Sequence, residues 1–384
     1  MTKKNPRIAV IGGGLGGIAA ASLLQQSGYN VRVYEQTRDF GRIGAGIHLG
    51  PNVVRVLDRM GVAKKLIETG VQPEAWVSKV WNTGEELFTF PLRGYSERVY
   101  GAPYLTVHRG DLQDLMIESL TPGSISAGKK LVSLSERTDH VQLNFEDGSS
   151  DSADLVVGAD GLRSKVRDHM LGPEEPIFTG VIGHRALFPT RLVRNLIAGD
   201  YARWWKEDRN FITYFLHQNR EEIYIVTGAP QKEWKFQSSW APCTKQELIA
   251  DFEGFHDHVM RIIDAMPEEV LTKWAYFERE PLPYWAAGRL VLLGDACHPM
   301  KPHMGQGAAM AMEDAAMLVR CIDHVGVENY ERGFKLYEAN RHPRATKIQI
   351  TSRSIAWLKD GKDPFWVYGY DVFSEPIREV ENVS

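Results

Sequence analysis

The chain has 384 residues, 43% of them hydrophobic and 24% charged, with a formal net charge of −4. That is the composition of a soluble globular protein with a substantial core, one large domain or two packed closely together. No basic stripe recruits nucleic acid or an anionic membrane, and no apolar run is long enough for a signal peptide or a membrane span. The cysteines, Cys243, Cys297 and Cys321, form neither a disulfide framework nor a CxxC metal pair, and their odd number suits a reducing cytoplasm.

In chain order, residues 7–11 read as a short buried parallel strand stopped by Gly12-Gly13-Gly14. An Ala/Leu-rich helix over 18–26 ends at Gly28, and a second strand over 31–34 closes on Glu35. This βαβ unit predicts a doubly wound α/β sheet. Helices are expected over 52–60 and 112–120, and strands over 141–145 and 153–157, flanking the hairpin turn Glu146-Asp147-Gly148. From 178 to 281 the texture changes. Alternating runs such as Phe211-Ile-Thr-Tyr-Phe-Leu216 predict an antiparallel sheet, with one helix over 246–255. The buried strand ending in Gly294-Asp295 and an Ala/Met-rich helix over 307–323 then return to nucleotide-domain character. The expected fold is a Rossmann-like α/β domain made of 1–177 and 282–384, with an antiparallel-sheet domain, 178–281, inserted.

The strongest motif is Gly12-x-Gly14-x-x-Gly17 between strand and helix. The first glycine permits a tight turn, the second lets the backbone approach a pyrophosphate, and the third lets helix and strand pack closely. Glu35 ends the next strand, where an acid accepts from a ribose hydroxyl. Two further strand ends carry Asp160-Gly161 and Gly294-Asp295. The latter is followed by His298-Pro299 and by Gly305-Gln306-Gly307 at a helix start, where amide groups and the helix dipole favour a developing anion.

Taken together, these motifs resemble the single-component flavoprotein aromatic hydroxylases, the family of para-hydroxybenzoate and salicylate hydroxylases, in order and spacing along nearly the whole chain. The resemblance implies FAD as cofactor and NADH or NADPH as reductant. O2 would be co-substrate, and a small hydroxylated benzenoid or pyridine acid the target. It assigns the first motif to the ADP part of FAD, Arg109 to the pyrophosphate and Asp295 to the ribityl chain. Asp160-Gly161 would serve both FAD and the nicotinamide nucleotide, and Pro299 would line the flavin site. By position, His48 (in the Gly44-Ala-Gly-Ile-His48 stretch), Tyr214 and His303 would face the substrate, with His48 as a base whose pKa lies near working pH. By the same resemblance, Tyr201 and Asn210 stand where some members carry Cys and His.

Each assignment has a structural alternative. Arg109 could be an exposed charge at a helix start, His48 could cap a turn in its Gly-rich loop, Tyr214 could be strand packing, and His303 could donate to backbone in the Pro302 turn. Cys297 beside His298 lacks an oriented third group for nucleophilic catalysis, no HxH or HExxH cluster suggests a metal, and the methionines of 310–317 read as packing.

Overall fold

Short apolar strands with no polar face need cover on both sides, and the chain provides it. In the computed structural model, which describes residues 6–40, 46–354 and 363–380, Arg7–Ile11 pairs in parallel with Asn30–Glu35 on one side and Leu155–Gly158 on the other. Ile125–Ala127 and Leu290–Leu292 extend this sheet, and Ala286–Ala287 closes it antiparallel, giving six strands. Helix Leu15–Gln26 buries an almost continuous Leu15–Leu24 surface against helix Gly307–Val325. Helix Tyr330–Thr351 packs on the latter in turn.

The eight-stranded second sheet runs Trp240–Pro242, Thr272–Glu278, Ile177–Pro189, Glu222–Pro230, Asn210–Phe215, Tyr201–Trp205, Ala75–Val80 and Glu86–Pro91. Its last two strands come from residues 75–91, ahead of the inserted stretch, and Ala75–Val80 joins Tyr201–Trp205 in parallel. Alternation along one strand does not reveal which sheet it joins, so this pairing was not legible beforehand. Helices Lys245–Asp251 and Asp257–Ala265 cover the outer face.

Two expected elements divide. Residues 153–157 split at Asp154. Its carboxylate accepts from the Arg7 backbone N–H at 2.7 Å and turns the chain from the hairpin strand Ser150–Ala153 into the parallel sheet. The helix expected over 246–255 is Lys245–Asp251, begun by a Thr244/Glu247 capping box, and a second helix follows. The methionines at 310, 312 and 317 are fully buried, as expected.

One feature of the core is ionic. Glu313 and Asp314, adjacent on helix Gly307–Val325, are fully buried. Arg341 bridges them at 2.8 Å each, Arg344 adds a second cation to Glu313, and His298 Nε2 meets Asp314 at 2.5 Å. Burial pushes both carboxyls up. The cations (Arg344 and Arg341 on Glu313, His298 and Arg341 on Asp314) nevertheless bring both below the ordinary carboxylate range. Their stabilising contribution is therefore complete above the unfolded-state carboxylate pKa and is lost as pH falls through the lower folded-state values. Arg341→Met is expected to remove the cation shared by the two buried carboxylates, leaving Glu313 with Arg344 and Asp314 with His298, and to cost about 3 kcal/mol. The shift in urea midpoint at neutral pH measures it, and the deficit should narrow on acidification.

Candidate active site

A cavity of about 590 Å³ opens where the carboxyl ends of the parallel strands face the antiparallel sheet, the crevice in which open α/β sheets place ligands. Its walls bring together Gly14, Arg109, Gly161, Asp295, Gly305 and Gly307 with His48, Tyr214 and His303. Gly12, Gly17, Glu35, Asp160 and Pro299 stand behind the wall and shape it.

The glycine turn is built on close approach. A Cβ on Gly12, whose φ is +104°, would lie 2.3 Å from the Ala159 carbonyl oxygen, and one on Gly17 would lie 2.0 Å from that of Gly12. Gly14, by contrast, meets nothing within 4 Å and caps helix Leu15–Gln26. That leaves open space beside the unpaired N–H groups of a helix start. Glu35 is tied into the turn, its Oε2 accepting from Gly13 N–H at 2.6 Å and its Oε1 from Thr37. Asp160 is spent within the protein: it accepts from the Ser164 hydroxyl and from the N–H groups of Lys165 and Val166, capping the next helix. Gly161 is the member of that pair on the cavity wall. The Pro299 carbonyl accepts from Gln349 at 3.1 Å.

Arg109 is the first residue of helix Arg109–Glu118, begun by His108, whose Nδ1 accepts from Gly110 N–H. The helix thus starts at Arg109, not at 112, and the guanidinium faces the cavity instead of bulk water. Burial and the neighbouring Arg185 lower its pKa, while Asp295 opposes them. Burial raises the Asp295 carboxyl against His298 and Arg109. Cations, two helix starts and an open glycine turn along one trough suit a dianionic dinucleotide.

His48 does not sit in a loop. Gly46–Leu49 is a strand paired antiparallel with Leu105–His108, and Gly44 lies outside the described residues. Gly46 allows it to press on the large sheet, since a Cβ there would stand 2.6 Å from the Tyr214 ring. The His48 ring meets Tyr214 edge-on at 4.5 Å and Tyr201 at 5.0 Å, and its Nδ1 lies 3.4 Å from where a Gly305 Cβ would stand. The two halves of the site therefore meet at this imidazole. Burial first, and the Arg203 cation second, lower its pKa to about 3. This corrects the expectation of a base titrating near working pH: an apolar wall and a neighbouring cation both disfavour imidazolium. Tyr214 is buried, yet its hydroxyl makes no hydrogen bond among the described residues. His303 contacts the Ser352 carbonyl through Nδ1 at 3.0 Å, not the Pro302 turn. A carbonyl can only accept, so Nδ1 carries the proton and Nε2 keeps a free lone pair. Burial lowers the His303 pKa to about 4.

The pleat adds residues that motif reading did not single out. Alternate residues of three strands form rows on the cavity face: Tyr201, Tyr214 and Tyr224; then Arg203, Ile212 and Val226; then Trp205, Asn210 and Gly228. Arg203 is 5% exposed. It donates from Nε to the Tyr201 hydroxyl at 2.8 Å and again from Nη2, and it lies over the Trp76 ring at 4.8 Å. An arginine inside the otherwise apolar run Tyr-Ala-Arg-Trp-Trp was the available signal. Cys297 is wholly buried with its thiol pushed up, so it is no nucleophile.

Comparison with known proteins agrees with this geometry. The chain matches the model of the FAD binding domain family over residues 6–352. It is 50% identical over 378 residues to the 6-hydroxynicotinate 3-monooxygenase of Pseudomonas fluorescens, covering 98% of each chain. It superposes on a salicylate hydroxylase substrate complex with a TM-score of 0.83 at 26% identity, covering 97% of each chain. Klebsiella pneumoniae HpxO complexed with FAD and uric acid gives a TM-score of 0.82 at 26% identity, over 93% of this chain and 89% of that one. The chain belongs to the FAD-dependent aromatic hydroxylase family, with the Rossmann-like domain and inserted antiparallel sheet expected of it. It is an FAD-dependent aromatic monooxygenase reduced by a nicotinamide nucleotide. No helix among the described residues is long and apolar enough to cross a membrane.

Gly17→Ala places a methyl group on the Gly12 carbonyl and should push the glycine turn out of register. The purified variant is expected to retain about a tenth or less of the wild-type flavin, read from its visible absorbance, with secondary structure unchanged.

Proposed function

We propose that this monooxygenase hydroxylates 6-hydroxynicotinate at the ring carbon that bears the carboxylate, giving 2,5-dihydroxypyridine. One 6-hydroxynicotinate anion, one O2, one NAD(P)H and two protons become one dihydroxypyridine, one CO2, one water and one NAD(P)+. The observation that carries the reading is the meeting of the dinucleotide trough with the His48–Tyr214 pair and His303 in a single cavity. The relative that shares half of this sequence and bears that substrate's name supports it.

In this reading residues 1–177 and 282–384 hold the cofactor, and 178–281 form the substrate wall, to which His48 and His303 are added from the cofactor side. The turn Gly12, Gly14 and Gly17 takes the ADP part, Glu35 a ribose hydroxyl and Arg109 the pyrophosphate. Asp160 keeps Gly161 in place, Asp295 binds the ribityl chain, and Pro299, Gly305 and Gly307 set the helix start against the ring system. The chemistry FAD supplies when bound is hydride uptake from NAD(P)H and delivery of an electrophilic oxygen atom from O2. The protein makes the substrate carbon electron-rich. A neutral His48 accepts a hydrogen bond from the ring hydroxyl and so raises electron density on the ring, Tyr214 orients the same oxygen, and His303 Nε2 accepts at the ring edge. The aromatic wall excludes water from the reacting carbon.

The direct test is FAD-reconstituted protein with NADH, O2 and 6-hydroxynicotinate, followed by product and CO2 analysis. Stoichiometric 2,5-dihydroxypyridine is expected. Hydroxylation of salicylate or 3-hydroxybenzoate in its place would overturn the choice of substrate. NADH loss yielding only peroxide with every acid would overturn ring hydroxylation. His48→Ala should slow hydroxylation about 100-fold or more while flavin content stays at the wild-type level. With its pKa near 3, His48 is neutral across the working range. The wild-type kcat/KM profile should therefore show no acid limb from this residue between about pH 5 and 8.

A further inference from the structure

A file of oxidisable rings leads from the cavity to the surface. Tyr214 and Tyr201, on the cavity wall, stack with centroids 5.4 Å apart. Tyr201 meets Trp76 at 6.4 Å, Trp76 meets Tyr368 at 5.9 Å, Tyr368 meets Tyr100 at 5.9 Å, and Tyr100 meets Tyr95 at 5.8 Å. Tyr104 doubles the middle of the file, 5.4 Å from Trp76 and 5.9 Å from Tyr368. All of these rings except Tyr95 are buried, and they come from three strands, two short helices and a loop. At the outer end Asp363 accepts from the Tyr100 hydroxyl at 2.6 Å and from the Tyr95 hydroxyl at 3.0 Å.

Packing alone does not require this chemistry. Phe90 touches both Trp76 and Tyr95, each at 5.5 Å, so a plain ring fits the same cluster. Burying phenols where an apolar ring would pack is costly. The charges along the file are graded as well. Arg203 lies over Tyr201 at 4.6 Å and over Trp76 at 4.8 Å, while Asp363 holds the far end. A ring beside a buried cation gives up an electron reluctantly, and a phenol bonded to a carboxylate gives one up readily. A positive hole on the inner rings is therefore driven outward and comes to rest on Tyr100. Arg98 lies over Tyr95 at 5.6 Å, but it stands in water, which screens its charge.

We propose that these rings form an electron-transfer path that discharges, at Tyr100, a one-electron oxidant arising in the cavity. This activity is separate from hydroxylation and does not depend on which acid is the substrate. In the net step the oxidant gains one electron and the Tyr100 phenol loses one. The phenolic O–H bond breaks, its proton passes along the existing hydrogen bond to the Asp363 carboxylate, and a neutral tyrosyl radical is left. Burial and Asp363 hold the resting phenol well above its usual pKa, so the proton leaves only with the electron. One electron from an external donor such as ascorbate, with the proton returned by Asp363, restores the phenol. Tyr95, half-buried and bonded to the same carboxylate, is the contact with that donor.

The experiment uses the FAD-loaded full chain in anaerobic solution without substrate. Blue light generates the oxidant, excited oxidised FAD, at will. The readouts are tyrosyl absorbance after a flash, electron paramagnetic resonance of frozen samples, and radical-trap adducts mapped by peptide mass spectrometry. The wild type should give a long-lived tyrosyl signal that ascorbate quenches, with adducts on the peptide carrying Tyr95 and Tyr100. Tyr100→Phe should lose that signal while flavin content and hydroxylation rate stay at wild-type levels. Asp363→Asn removes a charge-assisted hydrogen bond and should shorten the radical's lifetime at least about tenfold. Absence of any tyrosyl signal in the wild type would overturn the proposal. So would a signal unchanged in both variants, or adducts confined to Tyr201 and Tyr214. Should Tyr100→Phe fail to retain FAD, Asp363→Asn and the wild-type adduct map decide the matter.

Discussion

Two adjacent carboxylates with no access to water, Glu313 and Asp314, fix where everything around the cavity stands. Asp314 accepts from the Gly294 backbone N–H and from His298, so it holds the strand end that presents Asp295. Glu313 accepts from Asn52, which also donates to Gln306 at the start of the cavity helix. Asn52 lies on the helix that follows the His48 strand. Arg341 and Arg344, from the next long helix, neutralise both acids. A single ionic cluster thus sets the relative positions of the Gly294-Asp295 turn, the helix start at Gly307 and the strand carrying His48. An apolar core of equal volume could be as stable, but it would lack these directed contacts between the turn, the helix start and the His48 strand. That an ionic cluster stands here fits a need for orientation more than for stability.

The cavity divides along the two sheets. On the parallel side are backbone amides, Arg109 and Asp295, suited to a charged and flexible dinucleotide. On the antiparallel side are neutral aromatic and imidazole groups around two arginines, Arg203 and Arg185. Burial lowers the pKa of both His48 and His303, so neither adds positive charge beside Arg203 and Arg185. The substrate wall can then act through shape, hydrogen bonding and the fixed charges of these two arginines.

Legibility in the sequence followed the range of the interactions. The glycine turn, the parallel strands and the cavity helix were readable because their physics is local: a Cβ that cannot fit, a short apolar run, a helix start. The pairing of 75–91 with 201–205 was not, because register across more than a hundred residues leaves no mark on either segment. Asp160 shows the limit of a motif. Its position was readable, yet its carboxylate is committed to Ser164, Lys165 and Val166, and that geometry exists only once the helix has formed. The pKa of His48 lay equally out of reach, since it depends on Arg203, distant in sequence and brought near by strand pairing. For Arg203 the clue was present, a charge inside a run of buried residues, but its meaning required knowing which face of the strand looks inward.

The same reasoning explains how a family built on one cofactor site can serve different rings. The dinucleotide trough depends on backbone, where a Cβ on Gly12 or Gly17 would stand 2.3 or 2.0 Å from a carbonyl oxygen, which leaves no freedom to vary. The substrate wall depends on side chains at alternate positions of three strands, whose outward neighbours, such as Trp204 and Phe211, pack a separate core on the other side of the sheet. A change at Tyr201, Arg203 or Asn210 alters what the cavity presents without touching that second core or the glycine turn. These are the positions at which shape and charge can be revised at low structural cost. The chain's choice of substrate should therefore be sought in the rows of the sheet, while its chemistry is secured by the turn and by the ionic cluster behind it.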